Sequence, residues 1–199
     1  MFSVKKIGIY GGTFDPIHNA HLILARWAIV ELKLDLIYFV PASVHAFKKK
    51  SDLSPPEIRY KMISAAIANI PELRVSRIEL DKSSTSYTID TLKDIRTHES
   101  LGNSQLVYII GSDNLAEFHL WKDPEDILKI ATVSVLRRPG YNEQKIYDMY
   151  KDKIKVFNSP LINISSTKIR KRVRENKPYK NLVPHVVYEI IEKNRLYKN

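Results

Sequence analysis

Cysteine is absent from this chain. That excludes disulfides, thiolate zinc sites and cysteine nucleophiles together. No apolar run approaches the length of a membrane span, so no spanning helix is expected. The first residues, Met1-Phe2-Ser3-Val4-Lys5-Lys6, lead into a strand-like run without the apolar core of a secretory signal, and a cytoplasmic location is the expectation. There is no internal repeat, low-complexity segment or long linker, so residues 1–199 read as one domain. The glycine patterns of a P-loop and of a dinucleotide fingerprint are missing, as is the glutamate of a zinc-protease helix. Zinc-finger spacing and an RNP-type aromatic strand are missing too, which argues against a nucleic-acid partner.

What remains is an ordinary globular composition, 44% hydrophobic and 27% charged, in a chain long enough for a full core and one ligand cleft. The net charge of +10 is unevenly placed. From Lys151 to Asn199 there are 13 Lys/Arg against 4 Asp/Glu, so +9 of it lies in the last quarter. Lys48-Lys49-Lys50 forms a second cluster. Such charge suits a polyanion, a solvated basic helix face being the plainer alternative.

Short β-rich runs alternate with helix-length apolar segments. Val4–Tyr10, Leu36–Val40, Leu73–Leu80, Gln105–Ile110, Thr132–Leu136 and Lys153–Phe157 read as strands. His21–Leu34, Glu57–Asn69, Thr88–His98, Pro124–Ile130, Ser166–Asn176 and Pro184–Leu196 read as helices, and Ala42–Pro56 as a surface loop. This order predicts an α/β, Rossmann-like, doubly wound domain. Its sheet is mainly parallel, with helices on both faces and ligands at the C-terminal strand ends.

Two segments carry chemistry. The first is Gly11-Gly12-Thr13-Phe14-Asp15-Pro16-Ile17-His18-Asn19-Ala20-His21, between the first strand and the first helix. Paired glycines let the backbone turn sharply and approach a ligand closely. The helix start beyond them offers free N–H groups and a positive dipole end to a phosphate. His18 and His21, three apart, face one side and can each donate to a phosphate oxygen. One such histidine alone would read as a cap; two at this spacing after a Gly-Gly turn favour phosphate contact.

The second segment is Ile164-Ser165-Ser166-Thr167-Lys168-Ile169-Arg170. Its hydroxyls make a natural N-cap. Thr167, Arg170 and Arg174 also fall on one helix face, opposite a stripe of Ile169 and Val173, so hydroxyls, N–H groups and arginine converge on one anion site.

Together and in this order, the two segments resemble those of the HxGH nucleotidyltransferases. Ser86-Tyr87-Thr88, Ile109-Ile110-Gly111-Ser112-Asp113, Trp121, Arg138-Pro139-Gly140, Leu182-Val183-Pro184 and Asn194-Arg195-Leu196-Tyr197 narrow the resemblance to bacterial nicotinate mononucleotide adenylyltransferases. The resemblance spans essentially the whole chain. It implies transfer of AMP from ATP to nicotinate mononucleotide, giving nicotinate adenine dinucleotide and pyrophosphate in NAD biosynthesis. By position it implies His18, His21 and Arg170 as catalytic residues. Gly11, Gly12, Thr13, Phe14, Asp113, Arg137, Ser166 and Thr167 would bind ATP. Thr88, Trp121 and Lys48 would bind the mononucleotide, with the indole stacked on the pyridine. Mg²⁺ would arrive on the ATP phosphates, with no protein metal site; a homo-oligomer is left open. Nearby alternatives are a dual nicotinate/nicotinamide enzyme and phosphopantetheine adenylyltransferase, and a remoter one is a non-enzymatic nucleotide- or nucleic-acid-binding module.

Three positions depart from the pattern. Ala20 stands where the HxGH motif has glycine, a change that a helical backbone tolerates. His45-Ala46-Phe47-Lys48 stands where Pro-Pro-His-Lys is usual, so only the lysine is kept. Lys122 stands where a second aromatic often follows the tryptophan.

Overall fold

The computed structural model describes residues 4–43, 53–82, 85–136, 148, 150 and 153–198. Six parallel strands form one sheet: β1 (Lys6–Gly12), β2 (Leu36–Pro41), β3 (Leu73–Val75), β4 (Gln105–Gly111), β5 (Thr132–Leu136) and β6 (Ile154–Phe157), in the order β3-β2-β1-β4-β5-β6. The helices are α1 (Asn19–Leu32), α2 (Pro56–Ile67), α3 (Thr88–His98), α4 (Ser112–Glu117), α5 (Pro124–Ile130), α6 (Ser166–Arg174) and α7 (His185–Lys193). This is the α/β, doubly wound arrangement expected from the sequence. None of the described helices is long and apolar enough to cross a membrane.

Alternation along the central strands divides the core in two. In β1, Ile7 and Ile9 face one side and Tyr10 the other; in β4, Leu106, Tyr108 and Ile110 oppose Val107 and Ile109. The Tyr10 side packs Leu24, Ala25 and Ala28 of α1, Met62 and Ile63 of α2, Ile169 and Val173 of α6 and Val187 and Ile191 of α7. The other side packs Ile89, Leu92 and Ile95 of α3, Leu115 of α4 and Ile127 of α5. Both strand faces are thus covered, which is why the strands read as continuous apolar runs.

Local signals set the helix ends. Pro56 opens α2, where its missing N–H costs nothing. Lys33 closes α1 in the left-handed region, φ 51°. Ser165 caps α6, its hydroxyl accepting the Lys168 N–H at 3.3 Å.

β3 is shorter than the sequence suggests. Leu73 to Leu80 looks like one strand, but pairing stops at Val75. Beyond it the Ser76 hydroxyl accepts the Ile78 N–H at 3.4 Å, and Arg77 turns to Glu57 and Asp81. Local side-chain bonds displace the ladder there.

The chain order reverses between β1 and β4, and their parallel pairing puts both C-terminal ends at the same edge. That crevice is where an open α/β sheet takes its ligand.

Candidate active site

Gly11 and Gly12 end β1, and each has a neighbour that excludes a side chain. A Cβ on Gly11 would lie 2.7 Å from the Tyr108 hydroxyl, and one on Gly12 2.9 Å from the Phe14 ring. Phe14 itself turns inward, packed against Tyr10, His21 and Phe39, with centroids at 5.7, 5.0 and 5.3 Å. Its φ of 48° is in the left-handed region, and its side chain is buried.

The loop then delivers His18 to the N-cap of α1 with an extended backbone. The His18 N–H donates to Nδ1 of His21 at 3.2 Å, and the two rings stack 3.6 Å apart at 17°. Because Nδ1 accepts, the proton of a neutral His21 ring sits on Nε2, which is then a donor. The histidines are only 4% and 8% exposed, so both rings are largely enclosed by the protein. Ala20 lies within α1 and is buried, so its methyl is accommodated as a helical residue.

Helix α6 docks on this loop from the far end of the chain. The Ser166 hydroxyl donates to the Pro16 carbonyl at 2.9 Å, and Arg170 Nη1 to the Asp15 carbonyl at 2.7 Å. Arg170 also reaches the Thr167 hydroxyl at 3.4 Å. The two segments that the sequence set apart by some 150 positions are therefore one structure, with α6 seated on the loop that leads into α1. N–H groups, hydroxyls and a guanidinium around one loop make a site for an anion.

On the other side of the crevice, Ser112 and Asp113 open α4 directly after β4. The Ser112 hydroxyl donates to the Leu136 carbonyl at 3.1 Å, tying the ends of β4 and β5. Arg137, the next residue, and Lys48 lie outside the described residues, as does the segment His45-Ala46-Phe47.

Thr88 opens α3, and its side chain hydrogen-bonds the Tyr108 hydroxyl, which burial pushes up to about 12. Trp121 packs edge-on against Tyr108 at 6.0 Å and tilted against Phe118 at 5.3 Å. The Tyr108 hydroxyl therefore lies beside both Gly11 and Thr88, with Trp121 against its ring. Lys122 points elsewhere: its ammonium meets Asp90 at 3.1 Å and lies 4.7 Å from the Tyr87 ring centre.

Beneath the loop lies a polar network that the sequence analysis did not single out. Arg59 is 1% exposed and donates to the carbonyls of Thr13 at 2.9 Å, Ala42 at 2.7 Å, Ser54 at 3.1 Å and Ser43 at 3.4 Å. Burial pulls its pKa down, while the nearby Asp15 carboxylate pulls it up. Asp15 is fully buried; its carboxylate accepts the Ser54 N–H at 3.1 Å and the Tyr197 hydroxyl at 2.6 Å. A signal for Arg59 was present: it lies three and four positions before Met62 and Ile63, on the buried face of α2. Nothing local announces the Tyr197 contact.

Among the described residues no group of three or more His, Asp or Glu could hold a metal ion. The Asp15 carboxylate is already engaged by two donors.

A family model described as cytidylyltransferase-like matches residues 9–172. The chain is 40% identical over 204 residues to a protein of Clostridium beijerinckii named "Probable nicotinate-nucleotide adenylyltransferase", covering 98% of this chain and 100% of that one. A protein of Corynebacterium kroppenstedtii with the same name is 38% identical, over 96% of this chain and 90% of its own. Among solved structures, Plasmodium falciparum nicotinic acid mononucleotide adenylyltransferase complexed with NaAD shares the fold, with a TM-score of 0.81 over 97% of each chain at 23% identity.

Proposed function

We propose that the chain, which belongs to the cytidylyltransferase-like family and within it to the nicotinate-nucleotide adenylyltransferases, joins AMP from ATP to nicotinate mononucleotide in NAD biosynthesis. The observation that carries the site reading is the seating of Arg170 and Ser166 on the Asp15–Pro16 carbonyls beside His18 and His21. Donor groups from two distant segments thus meet at the C-terminal edge of β1.

The acceptor's phosphate is a nucleophile as it stands, its second pKa being about 6. One of its oxygens attacks the α-phosphorus of ATP. The bond from that phosphorus to the bridging oxygen breaks in line, and pyrophosphate leaves with the electron pair. No protein base and no covalent intermediate are required. The protein's work is to align two polyanions and offset their repulsion. In this reading His18 and the Nε2–H of His21 donate to the phosphates from below. Arg170 and the Thr167 hydroxyl donate from the α6 side, Ser166 offers its backbone N–H while its hydroxyl holds the Pro16 carbonyl, and the N–H groups of Gly12, Thr13 and Phe14 line the turn. Asp113 faces the adenosine, and the resemblance assigns Arg137 to ATP as well. Thr88 and Trp121 receive the pyridine ring, and the resemblance assigns Lys48 to the same substrate.

Magnesium enters as part of the MgATP substrate. The donor set supports this division of labour. Imidazoles, hydroxyls, amides and a guanidinium suit phosphate oxygens, whereas a resident Mg²⁺ needs carboxylate oxygens. The same reading puts the enzyme in the cytoplasm, where it draws on ATP.

The test is direct. Purified protein with MgATP and nicotinate mononucleotide should form nicotinate adenine dinucleotide and pyrophosphate in equal amounts. Nicotinamide mononucleotide and phosphopantetheine serve as comparison acceptors. Turnover with phosphopantetheine alone would overturn the acceptor assignment, and none with any acceptor would overturn the enzyme.

A further inference from the structure

The Asp15 residue is gripped twice from the C-terminal region. Its carbonyl takes Arg170, and its carboxylate takes the Tyr197 hydroxyl, 182 positions away. Tyr197 is brought there by a compact turn after α7. Arg195 and Tyr197 hold left-handed backbones, φ 50° and 63°, which cost a non-glycine residue energy. The Leu196 N–H bonds the Ile191 carbonyl at 3.0 Å, and Leu196 and Tyr197 pack against the core on the Tyr10 side. That turn is held where its contacts put it.

From this geometry we infer that Tyr197 is a positioning residue for the triphosphate site, acting through Asp15. The inference rests on the reading of that site given above. A buried carboxylate needs donors, and Asp15 has the Ser54 N–H and the Tyr197 O–H. With the phenol O–H gone, one carboxylate oxygen loses its partner in a dry site. The loop must then shift to find water, and its carbonyl moves relative to Arg170. The loss is felt by the group Arg170 contacts, not by the acceptor pocket around Thr88. Ser54 also links this contact to Arg59, which donates to the Ser54 and Thr13 carbonyls. Tyr197 thus braces the same turn that Arg59 braces from beneath.

The chain supplies its own control. Tyr179 donates to Glu192 at the same 2.6 Å, in the same C-terminal region, with its hydroxyl bonded to α7 and not to Asp15. Binding of a non-hydrolysable α,β-methylene analogue of ATP, measured by titration calorimetry, needs no acceptor. Tyr197→Phe should weaken that binding about tenfold, the scale of one hydrogen bond to a charged group. Tyr179→Phe should change it less than about twofold. In turnover, Tyr197→Phe should raise the KM for ATP and lower kcat while the KM for the acceptor stays put. Asp15→Asn provides a second route: the double variant should bind the analogue no more weakly than the worse single variant. Wild-type affinity in Tyr197→Phe, equal losses in the two tyrosine variants, or additive losses with Asp15→Asn would each overturn the assignment. If the wild type ignores nicotinate mononucleotide yet the binding pattern holds, the acceptor reading fails and the role of Tyr197 stands.

Discussion

The backbone N–H of His18 is held by the side chain of His21, Nδ1 accepting it at 3.2 Å while the rings stack 3.6 Å apart. That contact commits Nδ1 to the fold, and the proposed phosphate contact falls to Nε2–H. His21→Asn and His21→Gln separate these duties, since asparagine presents an oxygen near Nδ1 and glutamine a nitrogen near Nε2. Asparagine should keep the thermal midpoint near wild type and lower kcat by roughly 10²–10³, the scale of one lost charge-stabilising contact. Glutamine should keep more activity and lose more stability. Steady-state rates with melting curves decide it, and near-normal turnover in His21→Asn would remove the ring from the reaction. His18→Ala should fall by a similar factor.

Arg170→Lys should not behave as a conservative change. The guanidinium reaches the Asp15 carbonyl and the Thr167 hydroxyl with different nitrogens, and its remaining N–H groups are available to an anion. An ammonium cannot hold that fork. ATP affinity should drop by about tenfold or more, with little change for the acceptor. Unaltered ATP affinity would place Arg170 on a merely solvated face.

Arg59→Met tests the network beneath the loop. Methionine approximates the buried stem but leaves four carbonyls without their donor and Asp15 without its nearby cation. The expected loss is about 3–5 kcal/mol, readable as a lowered urea midpoint. A loss below about 1 kcal/mol would mean that water replaces the guanidinium readily.

The sheet and the two candidate-site segments were legible because their signals are local: apolar runs bounded by Gly11-Gly12 and Pro41, and hydroxyls before a basic helix. The early end of β3 was not, since Ser76 and Arg77 decide it through side-chain bonds that an apolar pattern does not register. The contacts of Arg59 and Tyr197 were missed for a different reason. Their partners lie up to 46 and 182 positions away, and such contacts exist only once the sheet brings the loops together.

Glu79 should tilt stability with pH. Burial raises its pKa above the usual 4.5, against the pull of its hydrogen bond from Thr91 at 2.7 Å and of Lys82 and Arg59. A raised acid binds its proton more tightly folded than unfolded. Its contribution is therefore fully present below 4.5 and is lost as pH rises through the folded value. Glu79→Gln removes that slope. The variant should gain stability relative to wild type between pH 4.5 and neutrality, measured as thermal midpoints in matched buffers. A difference that shrinks with rising pH would contradict the sign.

Acceptor choice is the last test. Nicotinate and nicotinamide mononucleotides differ only as carboxylate and carboxamide, so the pocket must sense charge and donor count. Backbone N–H groups suit both oxygens of a carboxylate, whereas an amide NH₂ would face them and leave a donor unpaired. That costs about 1–3 kcal/mol, or roughly ten- to hundredfold in kcat/KM. Lys122, the cation that stands where a second aromatic is common, would strengthen this preference if it reached the carboxylate. Its ammonium is instead bonded to Asp90 at 3.1 Å and stacked over Tyr87, with Asp90 raising its pKa. Lys122→Ala should therefore leave the ratio of kcat/KM for the two acceptors unchanged, and that ratio should vary little between low and moderate salt. A preference that collapses in Lys122→Ala would mean that the lysine leaves Asp90 when the acceptor binds. Equal use of both acceptors by the wild type would point to a dual-specificity enzyme, with the Thr88–Trp121 pocket reading the ring and not its charge.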